Sequence, residues 1–343
     1  MNTHQITVTS AIAVSMAAIS IPSAIAATPA EFYKGKQVTF VVPAGSGGSY
    51  GRYSQLGKKA LEKFMPGVTI VMQYMPGSGG IKATNYIANV APRDGSVIYF
   101  MTAGAPQSQL FTPKRVKFDI EKIPFIGQFA PLPSIIAVRS DAPATSLEGA
   151  KKIELSLAAS GFGSQQHQVP TLLNLLVGTK FKIIAGYKGS GRMFHAIEGN
   201  EVHGVLASTV SWAAIKPGWV EKKFVTPMFQ TGKKAARGYE GVPLIEDVTT
   251  NKEHRQMLRA ATSGSLMGRS VSAVPGFPKD KLKYLRDAFR KGMHDPEMLA
   301  FAKKTKLSVD YHSGEEMEAL VREIMSTPKS VVDKLKKVLN IKG

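Results

Sequence analysis

The sequence predicts an α/β protein of two lobes, each a mixed, mainly parallel sheet flanked by helices, with a ligand cleft between them. Three observations carry that reading. Apolar β-type runs alternate with amphipathic helical patterns from Gln37 onward. The alternation breaks near Phe125–Pro133 and then restarts, which divides the chain in two. Glycine-rich turns follow strands in both halves, at the sheet edge where open α/β folds bind ligands.

In the first half, Gln37–Val42 reads as a strand, and Tyr53, Leu56, Ala60, Leu61 and Phe64 mark one face of the helix after it. Val68–Gln73 is a second strand; Ile81, Tyr86, Ile87 and Val90 carry the next helix. Val97–Met101 is a third strand, which completes a βαβαβ unit. In the second half, Ile135–Val138 and Ile153–Leu157 are strands, and a helix covers Gln166–Val177. Phe181–Ile184 and Val202–Ala207 are strands joined by a helix around Met193–Glu198. Val225–Gln230 follows, then a polar stretch, then Gly268–Val274. From Pro278 the chain is mainly helical, with Leu282, Leu285, Phe289, Met317, Leu320, Val321 and Ile324 as its apolar positions. There is no internal repeat and no low-complexity tract.

Residues 1–27 read as a removable export segment. Ile6–Ile25 is apolar and small, Pro22 interrupts it late, and Ala24-Ile25-Ala26 fits an A-x-A cleavage site. Its n-region is weak, with His4 and no Lys or Arg; an uncleaved anchor is the alternative. The chain has no cysteine, which excludes disulfides and lipid-modified cysteine. No later segment is long and apolar enough to span a bilayer, so a soluble mature protein is expected. The formal charge is +19, and residues 1–27 contribute nothing to it. Such a balance favours anionic partners. Nucleic acid is a poor fit, because the basic residues are scattered and no recognition motif accompanies them. The basic tail Lys334–Lys342 reads as a solvated helix face.

The candidate chemistry lies in the loops. Ala44, Gly45, Ser46, Gly47, Gly48 and Ser49, with Tyr50, form a first loop where the missing Cβ atoms let backbone approach a ligand. It lacks the Gly-Lys-Ser/Thr ending of a nucleotide P-loop, so a carboxylate suits it better than a triphosphate. Pro76, Gly77, Ser78, Gly79 and Gly80 repeat the chemistry one βα unit later, and Thr102, Ala103 and Gly104 follow the third strand. Side by side, these loops would aim free N–H groups at one anion. From the second lobe, Gly161, Gly163 and Ser164 open a helix, with Gln165 and His167 in its first turn. Tyr187, Lys188 and Ser208 complete the candidate set. Tight turns, a capping histidine and an ordinary surface lysine are the structural alternatives.

A rival signal is Gly47-Gly48-Ser49-Tyr50-Gly51, which matches G-x-S-x-G between a strand and a helix, as a nucleophile elbow requires. A secreted hydrolase would use Ser49 as nucleophile. The elbow would sit on the first strand, an unusual place, and nothing selects its Asp and His partners. The histidines show neither H-x₃-H nor HExxH spacing, and no carboxylate pair stands out. No metal or cofactor is implied.

The order of motifs is also familiar. Phe32-Tyr33-Lys34-Gly35-Lys36, the loop at 43–50, Met75-Pro76-Gly77-Ser78-Gly79-Gly80 and Ala91-Pro92-Arg93-Asp94-Gly95 come in turn. Gly104-Ala105-Pro106-Gln107, Tyr187-Lys188-Gly189-Ser190-Gly191, Gly268-Arg269, Pro275-Gly276-Phe277-Pro278 and Ser313-Gly314-Glu315-Glu316 continue the series. The chain resembles the Bug-type substrate-binding receptors of tripartite tricarboxylate transporters. The resemblance implies a two-lobed periplasmic binding protein fold, type II-like, with a discontinuous first domain (28–128 plus 232–343) and a second domain at 129–231. It implies a receptor and not an enzyme, holding a small di- or tricarboxylate or aromatic acid with the loops at 44–49 and 76–80, partly through ordered water. It further implies delivery to the transporter's membrane subunits, a periplasmic location after cleavage near Ala26, and one ligand per monomer. An orphan receptor serving solute sensing is the other reading. Gln165 and Gln166 replace smaller residues common in relatives. Gly51 and His203 stand where relatives often carry Asp, which implies a wholly anionic ligand over an amine-bearing one.

Overall fold

The computed structural model describes residues 28–161, 164–187 and 189–341. The proposed export segment lies outside these residues, and so do Gly163 and Lys188.

In the first lobe, α1 (Pro29–Tyr33) precedes β1 (Gln37–Val42), α2 (Ser49–Phe64), β2 (Thr69–Tyr74), α3 (Ile81–Asn89), β3 (Val97–Phe100), α4 (Ala105–Phe111) and β4 (Phe125–Ala130). The second lobe runs β5 (Ser134–Arg139), α5 (Leu147–Lys152), β6 (Leu155–Ala159), α6 (Gln165–Val177), β7 (Phe181–Ala185), α7 (Ser190–Glu198), β8 (Gly204–Ser208), α8 (Thr209–Ile215) and β9 (Val225–Gln230). The chain then returns through α9 (Lys252–Met267) to β10 (Arg269–Ala273), α10 (Lys279–His294), α11 (Pro296–Lys304), β11 (His312–Ser313), α12 (Gly314–Met325) and α13 (Lys329–Val338).

Two mixed sheets result, with strand orders β11-β4-β10-β3-β1-β2 and β7-β6-β8-β5-β9. The expected βαβαβ unit is present, since β1 pairs in parallel with β2 and β3. The parallel share is smaller than expected. β10 pairs antiparallel with β3 and β4, and β5 pairs antiparallel with β8 and β9. The reason is topological: the chain leaves the first sheet on β4 and re-enters it on β10, and the two neighbours run in opposite directions.

The first core centres on aromatic rings contributed by four elements. Phe129 lies 5.7 Å from Phe100, 5.3 Å from Tyr53 and 4.8 Å edge-on from Phe289, centroid to centroid. Such pairs add to the burial of their faces. β4 was expected only as a break in pattern. Each of its residues is buried, so it shows no alternation for a sequence reading to detect. α9 was likewise read as polar. Its apolar positions Met257, Leu258, Ala260 and Ala261 pack into the second lobe's core with Leu172 and Leu173. Val331, Val332 and Leu335 of α13 join that same core, although 232–343 was assigned to the first lobe.

The chain crosses between lobes where β4 passes to β5, where α9 passes to β10 and again where α12 passes to α13. The Leu132 N–H donates to the Ser265 carbonyl at 2.9 Å, and the buried Gln128 amide donates to the Leu266 and Met267 carbonyls at 2.8 Å each. These bonds satisfy the C-terminal carbonyls of α9 and fix the point at which β10 begins. No helix among the described residues is long and apolar enough to cross a membrane.

Candidate functional site

The loops after β1, β2 and β3 meet around one cavity of about 350 Å³, bounded by Pro43, Ala44, Gly45, Tyr50, Pro76, Gly77, Gly79, Gly80 and Thr102. The second loop reaches it only through left-handed backbone: Gly77, Ser78, Gly79 and Gly80 have φ of 147°, 48°, 63° and 95°. Gly80 is further constrained by proximity, because a Cβ there would lie 2.2 Å from Thr102 Oγ1. Thr102 is held in turn by the Tyr99 hydroxyl at 2.6 Å, and Tyr99 by Thr84 at 2.8 Å. Burial pushes the Tyr99 phenol well above its ordinary pKa, so it stays a neutral donor. The Thr84 hydroxyl closes the network by donating to the Gly80 carbonyl at 3.0 Å. The Ala103 N–H donates to the Tyr50 hydroxyl at 3.2 Å, tying the third loop to the first.

A second cavity of about 310 Å³ opens between the lobes. Ala44 and Tyr50 line both cavities. From the first lobe it adds Gly48, Ser49, Arg52 and Arg269; from the second it takes Ser208, Val210, Ser211, Ala214 and Ile215, with Leu132 from the crossover. Ser208 is the N-cap of α8, accepting from the Ser211 N–H. The lining contains two arginines and no carboxylate, so its field favours an anion.

Several expected residues stand elsewhere. Ser46, Gly47 and Ser78 are exposed and do not bound either cavity, although the Ser46 carbonyl packs onto α2. Gly104 caps α4 behind the third loop. The Ser164 hydroxyl donates back to the Gly161 carbonyl at 2.7 Å instead of capping α6. Gln165 packs with Gln107 over Gly264, where a Cβ would lie 3.2 and 3.0 Å from their amide atoms. His167 lies near Thr171 on α6, and burial lowers its pKa. Tyr187 packs against the second lobe's core, and burial raises its pKa first, with Glu201 adding to the rise. None of these four lines the two cavities.

One reading needs correction, and another gains a steric side. His203 does not face the cleft. It precedes β8, whose other end is Ser208; its Nδ1 accepts the Ser156 N–H at 2.9 Å, and its own N–H donates to the Ser156 hydroxyl. A strand of that length separates the two ends by about 16 Å, so His203 contributes nothing to ligand charge. Gly51 has a steric role of its own, since a Cβ there would lie 1.9 Å from the Ser46 carbonyl oxygen.

Arg269 and Arg52 were not expected in the cleft. Arg269 Nε and Nη2 donate to Ser49 Oγ at 2.9 and 2.7 Å, Nη1 donates to the Gly268 carbonyl at 3.1 Å, and the guanidinium lies 4.1 Å over the Tyr50 ring. The signal in the sequence was the pair Gly268-Arg269, part of the resemblance with no role given to Arg269, and above all Gly268. Its φ of 47° ends α9, and a Cβ would lie 2.2 Å from the Ala130 carbonyl oxygen. The same contact removes the ground for a nucleophile elbow. Ser49 faces a guanidinium, which has no lone pair to take its proton, and no His or carboxylate among the described residues bonds to it.

The sequence profile of the TctC family, the tripartite tricarboxylate transporter family receptor, matches residues 55–337. The chain belongs to that receptor family. Its members are periplasmic solute-binding receptors, not enzymes. The match covers the second loop and begins just after the first. Among solved structures, a TctC solute-binding protein from Polaromonas is 18% identical, superposes with a TM-score of 0.69, and covers 87% of this chain and 98% of its own. Rpa4515 from R. palustris, solved with adipate, is 20% identical with a TM-score of 0.62, covering 89% of this chain and 97% of its own. MatC from Rhodopseudomonas palustris, with bound malate, is 19% identical with a TM-score of 0.61, covering 86% and 98%. At these identities the likeness is one of fold. No curated protein sequence matches the receptor.

Proposed function

We propose that this receptor captures a small organic carboxylate in the cleft between its lobes and delivers it to the membrane subunits of a tripartite tricarboxylate transporter. The carrying observation is the cleft itself: three glycine- or hydroxyl-bearing loops around one cavity, which shares Ala44 and Tyr50 with a second that holds two arginines and no carboxylate. One carboxylate sits against the loops after β1 and β2 and takes backbone N–H groups and the Thr102 hydroxyl region, with ordered water between. The N-terminal turns of α2 and α3 add their dipoles. Hinge closure at residues 131–133 and 264–268 brings Ser208 and α8 over the acid. No bond is made or broken. Relatives of the same fold hold adipate and malate, which supports an aliphatic acid.

The receptor acts in the periplasm as a monomer, with residues 1–27 removed near Ala26. We place the lobe division at the Pro131–Pro133 crossover, with α13 packed under the second lobe.

A thermal-shift screen of the mature protein against aliphatic and aromatic carboxylates, with ester substrates assayed in parallel, tests the reading. An acid at about 100 times its Kd stabilises a fold by about 2.7 kcal/mol, so a melting shift with one acid class and no ester turnover is expected. No shift with any acid, together with turnover lost in Ser49→Ala, would overturn it.

A further inference from the structure

We propose that Arg269 is the specificity-determining residue of the cleft, selecting acids that carry a second anionic group. The proposal rests on the carboxylate-receptor reading and adds what holds the far end of the ligand.

A guanidinium has five N–H donors. Three of Arg269's are taken, two by Ser49 Oγ and one by the Gly268 carbonyl. One N–H on Nη1 and one on Nη2 remain. Three other arginines meet carboxylates, Arg139 with Asp141, Arg259 with Glu246 and Arg286 with Glu318, while Arg52 in the same cavity bonds only the Thr305 carbonyl among the described residues. Arg269 has no carboxylate partner among the described residues. The side chain is half-buried, bedded on Tyr50 in a cavity that Val210, Ala214 and Ile215 of α8 also line. A partly buried cation without a counterion is costly, and a bound carboxylate or comparable anion removes that cost through the planar fork.

The placement is rigid. Gly268 cannot bear a side chain against Ala130, so the turn from α9 into β10 fixes where Arg269 starts. Ser49 and Tyr50 then hold the guanidinium at its far end. Tyr50 and Ala44 line both cavities, so the two abut at the tyrosine ring, and the proposed acid passes that ring to span from the glycine loops to Arg269. The stretch it crosses faces α8, whose lining side chains are Val210, Ala214 and Ile215 with Ser211 among them, so a largely hydrocarbon spacer fits. A monoacid fills the loop end alone and leaves Arg269 unpaired.

The test is calorimetric titration of the native protein, Arg269→Met and Arg269→Lys with straight-chain acids from four to eight carbons. Each diacid is compared with the monoacid of equal length. The native protein prefers the best diacid by about tenfold or more, the ratio expected of one charge-assisted pair. Arg269→Met brings that ratio close to one, and Arg269→Lys, a point charge without the fork, keeps part of it. A native protein without preference, or an Arg269→Met variant that melts like the native protein and keeps the preference, overturns the proposal. If Arg269→Met does not fold, an undiminished preference in Arg269→Lys overturns it. Binding of no acid at all would instead sink the carboxylate reading.

Discussion

Gly51 shows how tightly the first loop is folded onto its helix. A Cβ at that position would come within 1.9 Å of the Ser46 carbonyl oxygen, which is backbone and cannot swing aside. Gly51→Ala must therefore displace the loop that carries Ala44 to Ser49. We expect a loss of about 1–3 kcal/mol of stability, the usual cost of overpacking, together with a tenfold or greater loss of affinity for the captured acid. Chemical denaturation and calorimetry of the variant check both. An alanine variant as stable and as tight-binding as the native protein would show that the loop tolerates a side chain. At this scale the glycines themselves were legible in the sequence. What they touch was not: Gly51 meets its own loop, Gly80 meets Thr102, and Gly268 meets Ala130, each a contact set by folding. Arg269 was hidden for the same reason, as its neighbour Ser49 is more than two hundred positions away in the chain.

The helices differ in how they begin. α2, α3 and α4, which start at the loops around the first cavity, have glycine N-caps with no side-chain hydrogen bond. α5, α9, α11 and α12, away from it, are capped by the side chains of Ser146, Asn251, Asp295 and Ser313, whereas α10 and α13, also away from it, follow Pro278 and Pro328 with no such bond. A first turn without a capping side chain leaves its N–H groups available to a ligand. Gly48→Asp separates the two uses. Its backbone is extended, at φ −95°, and nothing crowds a Cβ there, so Asp fits and caps α2. The melting temperature should hold or rise slightly, while acid binding falls about tenfold or more because the new carboxylate occupies the anion's place. Binding undiminished in that variant would mean that α2 does not face the ligand. Elements with regular periodicity could be read from sequence, β1 and α6 within a residue or two and α2 by its apolar face. β4 could not, because a strand buried on both faces has no alternation, and α8 was missed because a short helix offers too few turns for periodicity.

Over the whole molecule, charge and topology act together. The chain carries +19, yet the cleft concentrates only two of its cations, and it does so without any carboxylate among its lining residues. On the proposed reading, long-range attraction draws an anion toward the protein, and the glycine loops with Arg269 hold it. The two-lobed plan was legible because each lobe repeats strand, glycine turn and helix. The paths between lobes were less so: α9 and α13 sit in the stretch expected of the first lobe, and both pack apolar residues into the second. A helix's partner depends on where the chain returns, which periodicity does not encode. The most direct measurement is a calorimetric titration of the best-stabilising acid into the native protein and into Gly80→Ala, whose Cβ would strike Thr102 within the glycine-loop cavity. The account predicts saturable one-to-one binding to the native protein and at least about tenfold weaker binding to a folded variant. Equal affinity in both, or no saturable binding of any carboxylate, would contradict it.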